Sequence, residues 1–488
     1  MRFQIVSLIL ILKTNFNRGC PQLLWAARLV ESDPPREEIR NVMVSQRIKY
    51  IVLAVALWVL PSSAFAQDAE TSNSDKTTEE RVSTLESQVK TIAGELSEAV
   101  TEAAVPKDGN WENYYGVGPV AGKVYRKDSG LSIGGYGEVF YKRDTLNDEG
   151  EFDTLRAVLY VGYKFSDKWV LNSEIEFEHA GKSNTYVEFL NLDYQHSEAL
   201  NFRVGLILNP MGFVNQIHEP TFFYGVDRPL VEQRMIPSTW REGGAGLYGR
   251  IGDRVSYQAY GVVSLDGANF TAKGYRKGRQ KGIGRLGGAD NFSFTGRVDV
   301  DVFSGLMVGG SFYTGHQGQD TPDIGSLQMT MYELHAQYQR YGFHFRALFS
   351  QAYIDNTDAF NNNTGNCQTD IDINTGAVTN VACLASESQG WYIEGAYNVF
   401  SLLMPDSKQS LEPFIRYSRV NTQKAFETAP NAALLAAGQQ YNVDVVTVGL
   451  QYKPIPQIVF KLDYLYEWTV ETDVDVTKQI QVGVGYVF

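Results

Sequence analysis

The chain is poor in long apolar runs, in cysteine and in histidine, and basic residues are outnumbered. After Ala66 no uninterrupted apolar stretch approaches the ~20 residues that a spanning helix needs, so membrane residence would have to come from strands. Histidines number 6 (His179, His196, His218, His316, His335 and His344) and never show HExxH spacing, and neither a GxSxG elbow nor a phosphate-cradling Walker loop occurs. No catalytic residue, metal site or cofactor is therefore expected. Of 43 basic and 56 acidic residues, 8 and 4 fall in residues 1–66, leaving 35 against 52, a net charge of −17. In an exported chain that balance argues against a nucleic-acid partner.

The region 43–66 has a basic start (Arg47, Lys49), an apolar run from Ile51 to Leu60, Pro61, and Ala64-Phe65-Ala66 before Gln67. This reads as a secretory signal with a small-x-small cleavage site. Residues 1–42 precede a second methionine, Met43, and are expected to be an over-extended start with no assigned role. Cys20 would leave with the leader, so Cys367 and Cys383 remain, with 15 residues between them in an Asn/Thr/Gly-rich loop. An exported pair of this kind is expected to form a disulfide, worth roughly 3 kcal/mol by the chain-entropy model. A metal site would need more ligands than this loop offers.

What the chain has in quantity is aromatic residues (28 Tyr, 26 Phe, 7 Trp) and 45 glycines, at average hydrophobicity. That mixture suits strands whose two faces meet lipid and water in alternation. Between 79 and 103, Val82, Leu85, Val89, Ile92, Leu96, Ala99 and Ala103 are spaced alternately three and four apart, an a/d seam about three heptads long. A short coiled coil near 79–103, in a periplasmic segment 67–110, is expected, and with it an oligomer. Residues 111–130, rich in Gly, Pro and Asn, read as a linker.

From 131 to 488 the pattern predicts an all-β domain, an antiparallel transmembrane β-barrel of about sixteen strands. Strands are expected near 131–142, 151–165, 168–180, 184–196, 200–209, 244–251, 254–264, 291–302, 306–314, 328–341, 342–352, 389–400, 410–420, 441–453, 457–468 and 476–488. Tight connections alternate with long ones, the longest at 210–243, 265–290 and 353–388. The final stretch places Ile480, Val482, Val484, Tyr486 and Phe488 on one face and Gln479, Gln481, Gly483 and Gly485 on the other. It is expected to close the barrel against the strand starting near Leu131.

Strand phase then predicts the lumen. Apolar residues facing lipid at alternate positions put Arg156, Lys164, Arg203, Arg297, His344, Arg346, Arg416 and Lys461 inside, because a guanidinium on the lipid face costs about 2–4 kcal/mol at mid-bilayer. The seven arginines and lysines form a candidate anion ladder. Glu174, Glu176, Glu178, Asp299, Asp301, Glu412, Asp463 and Glu467 are predicted to share that lumen, which would moderate its sign. The aromatic connection 210–243, carrying Arg228, Arg234 and Arg241, is expected to fold inward as a constriction loop. Lys273, Arg276, Lys277, Arg279, Lys281 and Arg285 make a second, basic loop, expected at an entrance or against lipopolysaccharide phosphates.

The signal, the heptads, the strand series, the loop running from Glu219-Pro220-Thr221-Phe222-Phe223 to Trp240-Arg241-Glu242-Gly243-Gly244, and the closing Tyr486-Val487-Phe488 resemble the phosphate-selective porin O and P family. That resemblance implies a homotrimer of sixteen-stranded barrels in a Gram-negative outer membrane, an infolded third loop, and passive diffusion of small anions such as phosphate. A general or organic-acid porin of mixed selectivity is the alternative, and a structural or adhesive barrel with a shut pore is a third reading.

Overall fold

The structure is a computed structural model that describes residues 87–90, 116–181, 185–282, 288–322, 324–364, 367, 369–371, 378–380, 382–472 and 474–488. The expected signal at 43–66, the start 1–42 and most of the coiled coil at 79–103 lie outside the described residues. Residues 87–90 are helical and exposed.

Alternating hydrophobicity becomes sixteen antiparallel strands. They are β1 (Gly130–Asp144), β2 (Glu149–Lys164), β3 (Trp169–Glu178), β4 (Thr185–Gln195), β5 (Asn201–Leu208), β6 (Arg241–Ile251), β7 (Val255–Val263) and β8 (Phe292–Phe303). There follow β9 (Leu306–His316), β10 (Gln328–Arg340), β11 (Phe343–Ile354), β12 (Glu387–Tyr397), β13 (Ser410–Ala425), β14 (Asn442–Ile455), β15 (Ile458–Thr469) and β16 (Asp475–Val487). Each pairs with its sequence neighbours, and β16 pairs with β1 to close the ring. The closing register sets Val139 opposite Val484, and Gly135 and Phe488 exchange backbone hydrogen bonds of 3.0 and 2.9 Å. Closure leaves no open edge, which lipid would not tolerate.

Each expected strand is present, with ends displaced by up to five residues. The largest shift at a site residue concerns Arg241 and Glu242, expected in the loop. They open β6, paired with Leu208 and Ile207 of β5. Tight turns fall where glycine permits positive φ, at Gly252, Gly305 and Gly342. The loop 355–386 also carries a helix, Thr357–Thr364, and a hairpin of Thr369–Ile371 with Val378–Asn380, neither of them anticipated.

The outer surface is apolar. Leu159, Val204, Val298, Leu334, Ile415, Val448 and Leu462 are among the exposed side chains, with aromatic residues such as Phe202, Phe294 and Tyr464 in the same outward phase. The interior reverses the pattern of a soluble protein, holding buried Glu138, Asp193, Arg203, Glu333 and Arg416. Alternation along each strand produces this inversion, as expected of a barrel with lipid outside and solvent within.

Candidate functional site: the barrel lumen

Three segments enter the lumen. The first is the connection 209–240 between β5 and β6, whose Met211, Val231, Met235, Ile236 and Trp240 are fully buried. They pack with Tyr260, Tyr313, Met329, Met331 and Tyr392 from the inner faces of β7, β9, β10 and β12, forming a dry core within one side of the barrel. The loop then reaches β13, which stands eight places from β5 in the ring of sixteen and so on its far side. Its far end is anchored by cations. Lys461 Nζ donates to the carbonyls of Phe223 and Gly225 at 3.0 and 2.8 Å. Lys453 donates to Thr221 at 2.9 Å, Arg346 to Phe222 at 3.0 Å, and Arg416 to Asp227 at 3.1 Å and to Tyr224. The Val226 amide donates to Asp463 at 2.7 Å.

These contacts change the meaning of the seven predicted ladder residues. All seven occur on strands, and all are engaged within the protein. Arg156 pairs with Glu138 at 3.2 Å and Glu176 at 3.7 Å, and Arg203 with Asp193 at 2.9 Å. Arg297 pairs with Asp299 at 2.8 Å, and Arg416 with Glu394 at 2.6 Å. Lys164 donates to the Tyr125 carbonyl at 3.3 Å, while Arg346 and Lys461 hold the constriction loop. Four of the seven guanidinium or ammonium groups, Arg156, Arg203, Arg297 and Arg416, therefore carry a carboxylate partner within the protein. His344 Nδ1 lies 3.0 Å from the Tyr224 hydroxyl.

The constriction-loop arginines divide. Arg241, on β6, pairs with Glu188 at 2.7 Å, and Arg234 with Glu467 at 2.7 Å. Arg228 donates from Nη1 to Ser238 at 3.3 Å, while its buried Nη2 finds no hydrogen-bond partner among the described residues. Burial, and then repulsion from Arg156, lowers its pKa to about 10.

The basic loop is the second segment, and part of it packs onto the constriction loop. Tyr275 is buried, its amide donates to the Arg234 carbonyl at 3.2 Å, and Thr422 of β13 donates to the Ala272 carbonyl at 2.5 Å. Arg279 Nη1 donates to the carbonyls of Ser238 and Thr239, both at 2.9 Å. The apolar Phe270 and Tyr275 within an otherwise basic stretch carry the loop inward onto the constriction loop. Lys273, Arg276 and Lys277 remain exposed, and Lys281 lies 4.6 Å from the Tyr186 ring centroid. Arg285 is outside the described residues. Burial, then Arg276 and Arg241, lowers the Arg279 pKa to about 9. Arg228 and Arg279 both reach Ser238, at 3.3 and 2.9 Å, and Arg279 Nε donates to the Arg276 carbonyl at 3.0 Å, so the three basic residues are neighbours, with Glu176, Glu178 and Glu188 also acting on Arg276.

The third segment was expected to be a linker. Residues 116–126, ending in the short helix Lys123–Arg126, bury Val117, Val120, Ala121, Val124 and Tyr125 against Tyr136, Val158, Tyr160, Val170 and Phe189 of the inner wall. Full burial of each valine is worth roughly 1.5–3 kcal/mol, enough to hold a segment with so little regular structure. The four apolar residues at 117, 120, 121 and 124 follow i, i+3, i+4, i+7 spacing, the available sequence signal for this packing. Lys142 and Lys453, which strand phase did not single out, also reach the lumen. Lys142 and Asp227 meet at 2.8 Å and help to line a cavity of about 300 Å³ between the constriction loop and β13–β16. Arg228, Gln233, Thr447 and Glu467 are among its other polar wall residues.

Cys367 and Cys383 are joined by a disulfide within the loop 355–386. Among the described residues no cluster of His, Cys, Asp and Glu has the arrangement of a metal site, and no helix is long and apolar enough to cross a membrane.

Sixteen strands closed around a lumen that a long loop crosses, with an apolar belt outside, define a porin-like transmembrane β-barrel. No family model matches the chain. An uncharacterized protein of Aquifex aeolicus (strain VF5) is 33% identical over 370 residues, covering 73% of this chain and 80% of that protein, and the chain belongs to its family. Similar solved structures include the Salmonella typhi OmpF complex with daunomycin, at 12% identity and TM-score 0.49, covering 75% of this chain and 99% of that one. The anion-selective porin from Comamonas acidovorans matches at 12% identity and TM-score 0.45, covering 74% and 100%. The outer membrane channel DcaP of Acinetobacter baumannii matches at 10% identity and TM-score 0.45, covering 74% and 97%. At these TM-scores nothing of their selectivity carries over.

Proposed function

We propose that the protein is a passive diffusion channel of a Gram-negative outer membrane, preferring small anions of the phosphate or oxyanion type, and that it works as a homotrimer whose N-terminal heptads associate in the periplasm. The observation that carries the anion preference is the grouping of Arg228, Arg276 and Arg279 where the two inward loops meet at Ser238, with Arg276 open to solvent. Mutually repelling guanidiniums are relieved by an anion in their midst, and their planar forks match oxyanion geometry. The phosphate resemblance of the sequence points the same way. The outward aromatic and apolar belt is the surface that lipid and lipopolysaccharide would cover.

The test is reversal potential in a salt gradient across a planar bilayer, with wild type and Arg276→Gln compared. Anion selectivity that falls in the variant, together with block by added phosphate, supports the reading. Cation selectivity without phosphate block would overturn it. In that event a mixed or organic-acid porin is the better account, favoured by the pairing of Arg156, Arg203, Arg297 and Arg416 with carboxylates.

A further inference from the structure

Nothing in the channel reading requires residues 116–126 to lie in the lumen, yet the wall is shaped to receive them. They contact the inner faces of β1, β2 and β3. A Cβ added at Gly134 would stand 2.6 Å from Val120 Cγ1, and one at Gly162 would stand 2.8 Å from Val124 Cβ. Glycine at these two wall positions therefore leaves the notches that the valines fill. Side chains of the wall then fix the segment's backbone. Asn172 Nδ2 donates to the Ala121 carbonyl at 2.9 Å, and Lys164 Nζ to the Tyr125 carbonyl at 3.3 Å. The Tyr125 hydroxyl donates to Asp193 of β4 at 2.8 Å.

On its other side the segment touches the constriction loop. Gly116 approaches the Gln216 amide and Gly118 the Glu219 carboxyl, each too closely for a Cβ. One short stretch thus bridges the wall and the loop that crosses the pore. The surface beneath it combines apolar Val158, Val170 and Phe189 with polar groups: Asn172 and Asp193, which bond the segment directly, Ser132 opposite Gly162, and the rings of Tyr136 and Tyr160. Water can wet such a wall once it is uncovered. The Met/Trp/Tyr core on the opposite side, by contrast, would expose mainly apolar surface if its loop left.

We propose that residues 116–126 form a luminal plug: seated in the Gly134 and Gly162 notches they hold the channel in a narrow, low-conductance state, and their withdrawal opens the side of the lumen lined by β1–β4. This rests on the channel reading. The seated segment covers hydrogen-bonding wall, and no covalent bond joins it to that wall other than the chain running on into β1. It also braces the constriction loop at Gln216 and Glu219, so its departure both widens the path and frees that loop.

Full-length protein in planar bilayers is compared with Gly162→Val, which fills a notch, and with Val120→Ser/Val124→Ser, which weakens the seated segment. Single-channel conductance is expected to rise about twofold or more in both, as the conducting cross-section grows. Conductance equal to wild type in both variants overturns the plug and leaves the channel reading standing, whereas no conductance in any of the proteins overturns both. An independent readout uses Ser132→Cys, on the covered wall, with a membrane-impermeant thiol reagent. Labelling is expected to be on the order of tenfold faster in the Val120→Ser/Val124→Ser background, since reaction must wait for local opening. Equal labelling rates overturn the plug whatever the conductance shows.

Discussion

At the scale of single residues, a lumen cation can be structural or available to solutes, and Arg203 and Arg276 are opposite cases. Arg203 is buried with Asp193, which also accepts from the hydroxyls of Tyr125 and Tyr248, both at 2.8 Å. Removing the carboxylate leaves a guanidinium buried and uncompensated, which costs about 3–5 kcal/mol. Asp193→Ala is therefore expected to lower the unfolding midpoint in denaturant titrations of the reconstituted barrel, while Asp193→Asn, which keeps an acceptor, loses less. Arg276 is exposed, and its substitution by Gln should shift stability by less than about 0.5 kcal/mol and change ion selectivity instead. Were Arg203 part of a functional ladder, its replacement would alter selectivity as strongly as that of Arg276. The inward placement of both arginines followed from different signals. Strand phase located Arg203, because apolar neighbours at alternate positions exclude it from lipid. For Arg276 the only signal was a basic loop, and the apolar anchors Phe270 and Tyr275 that draw the loop inward stand outside any period.

At the scale of elements, the connection between β5 and β6 behaves as a strut fixed at both ends. Lys461 supplies two of its far-side bonds, and its Nζ sits 3.7 Å from the Phe223 ring centroid. Hydrogen bonds to a charged group are worth about 1.5–3 kcal/mol, so Lys461→Met should release this end. Faster proteolysis of the loop and larger current fluctuations in single-channel records are the expected signs. Glu219, on the same loop and not on a strand, gives the strut a pH dependence. Burial first, and then the neighbouring Glu174, raises its pKa to about 8, and its Oε2 is buried without a hydrogen-bond partner. An acid whose pKa is higher in the folded state than in the unfolded one keeps its proton in the fold. Its contribution is therefore complete below about pH 4.5 and is lost progressively as pH rises to about 8, by a few kcal/mol. Glu219→Gln should remove this slope from unfolding measurements between those limits, with the variant more stable than wild type near pH 8. The existence of this loop and its aromatic character were legible in the sequence. Its partners were not, since Lys453, Lys461 and Arg416 lie more than 170 positions away and bind backbone carbonyls, which carry no residue identity. Residues 116–126 escaped for another reason: glycine and proline gave them the composition of a linker and masked a helical spacing of only four apolar residues.

At the scale of the whole molecule, one rule of alternation fixes strand number, closure and the inverted distribution of polarity, which is why the barrel was readable along its length while the contents of its lumen were not. The rule also separates membrane residence from mere exposure. Leu462 of β15 stands in the outward belt, 50% exposed, between Leu450 and Val482 on the neighbouring strands. Val474, in the connection between β15 and β16, is 57% exposed but lies at a rim. In water, arginine at either position would be solvated and the two substitutions would cost the same. In a bilayer, Leu462→Arg must bring a guanidinium toward hydrocarbon, at about 2–4 kcal/mol near the midplane and about 0–1 near the interfaces. Reversible unfolding in lipid vesicles should therefore give a loss of that order for Leu462→Arg and almost none for Val474→Arg. Equal losses would mean that the apolar belt does not face lipid, and the channel reading would fail with it.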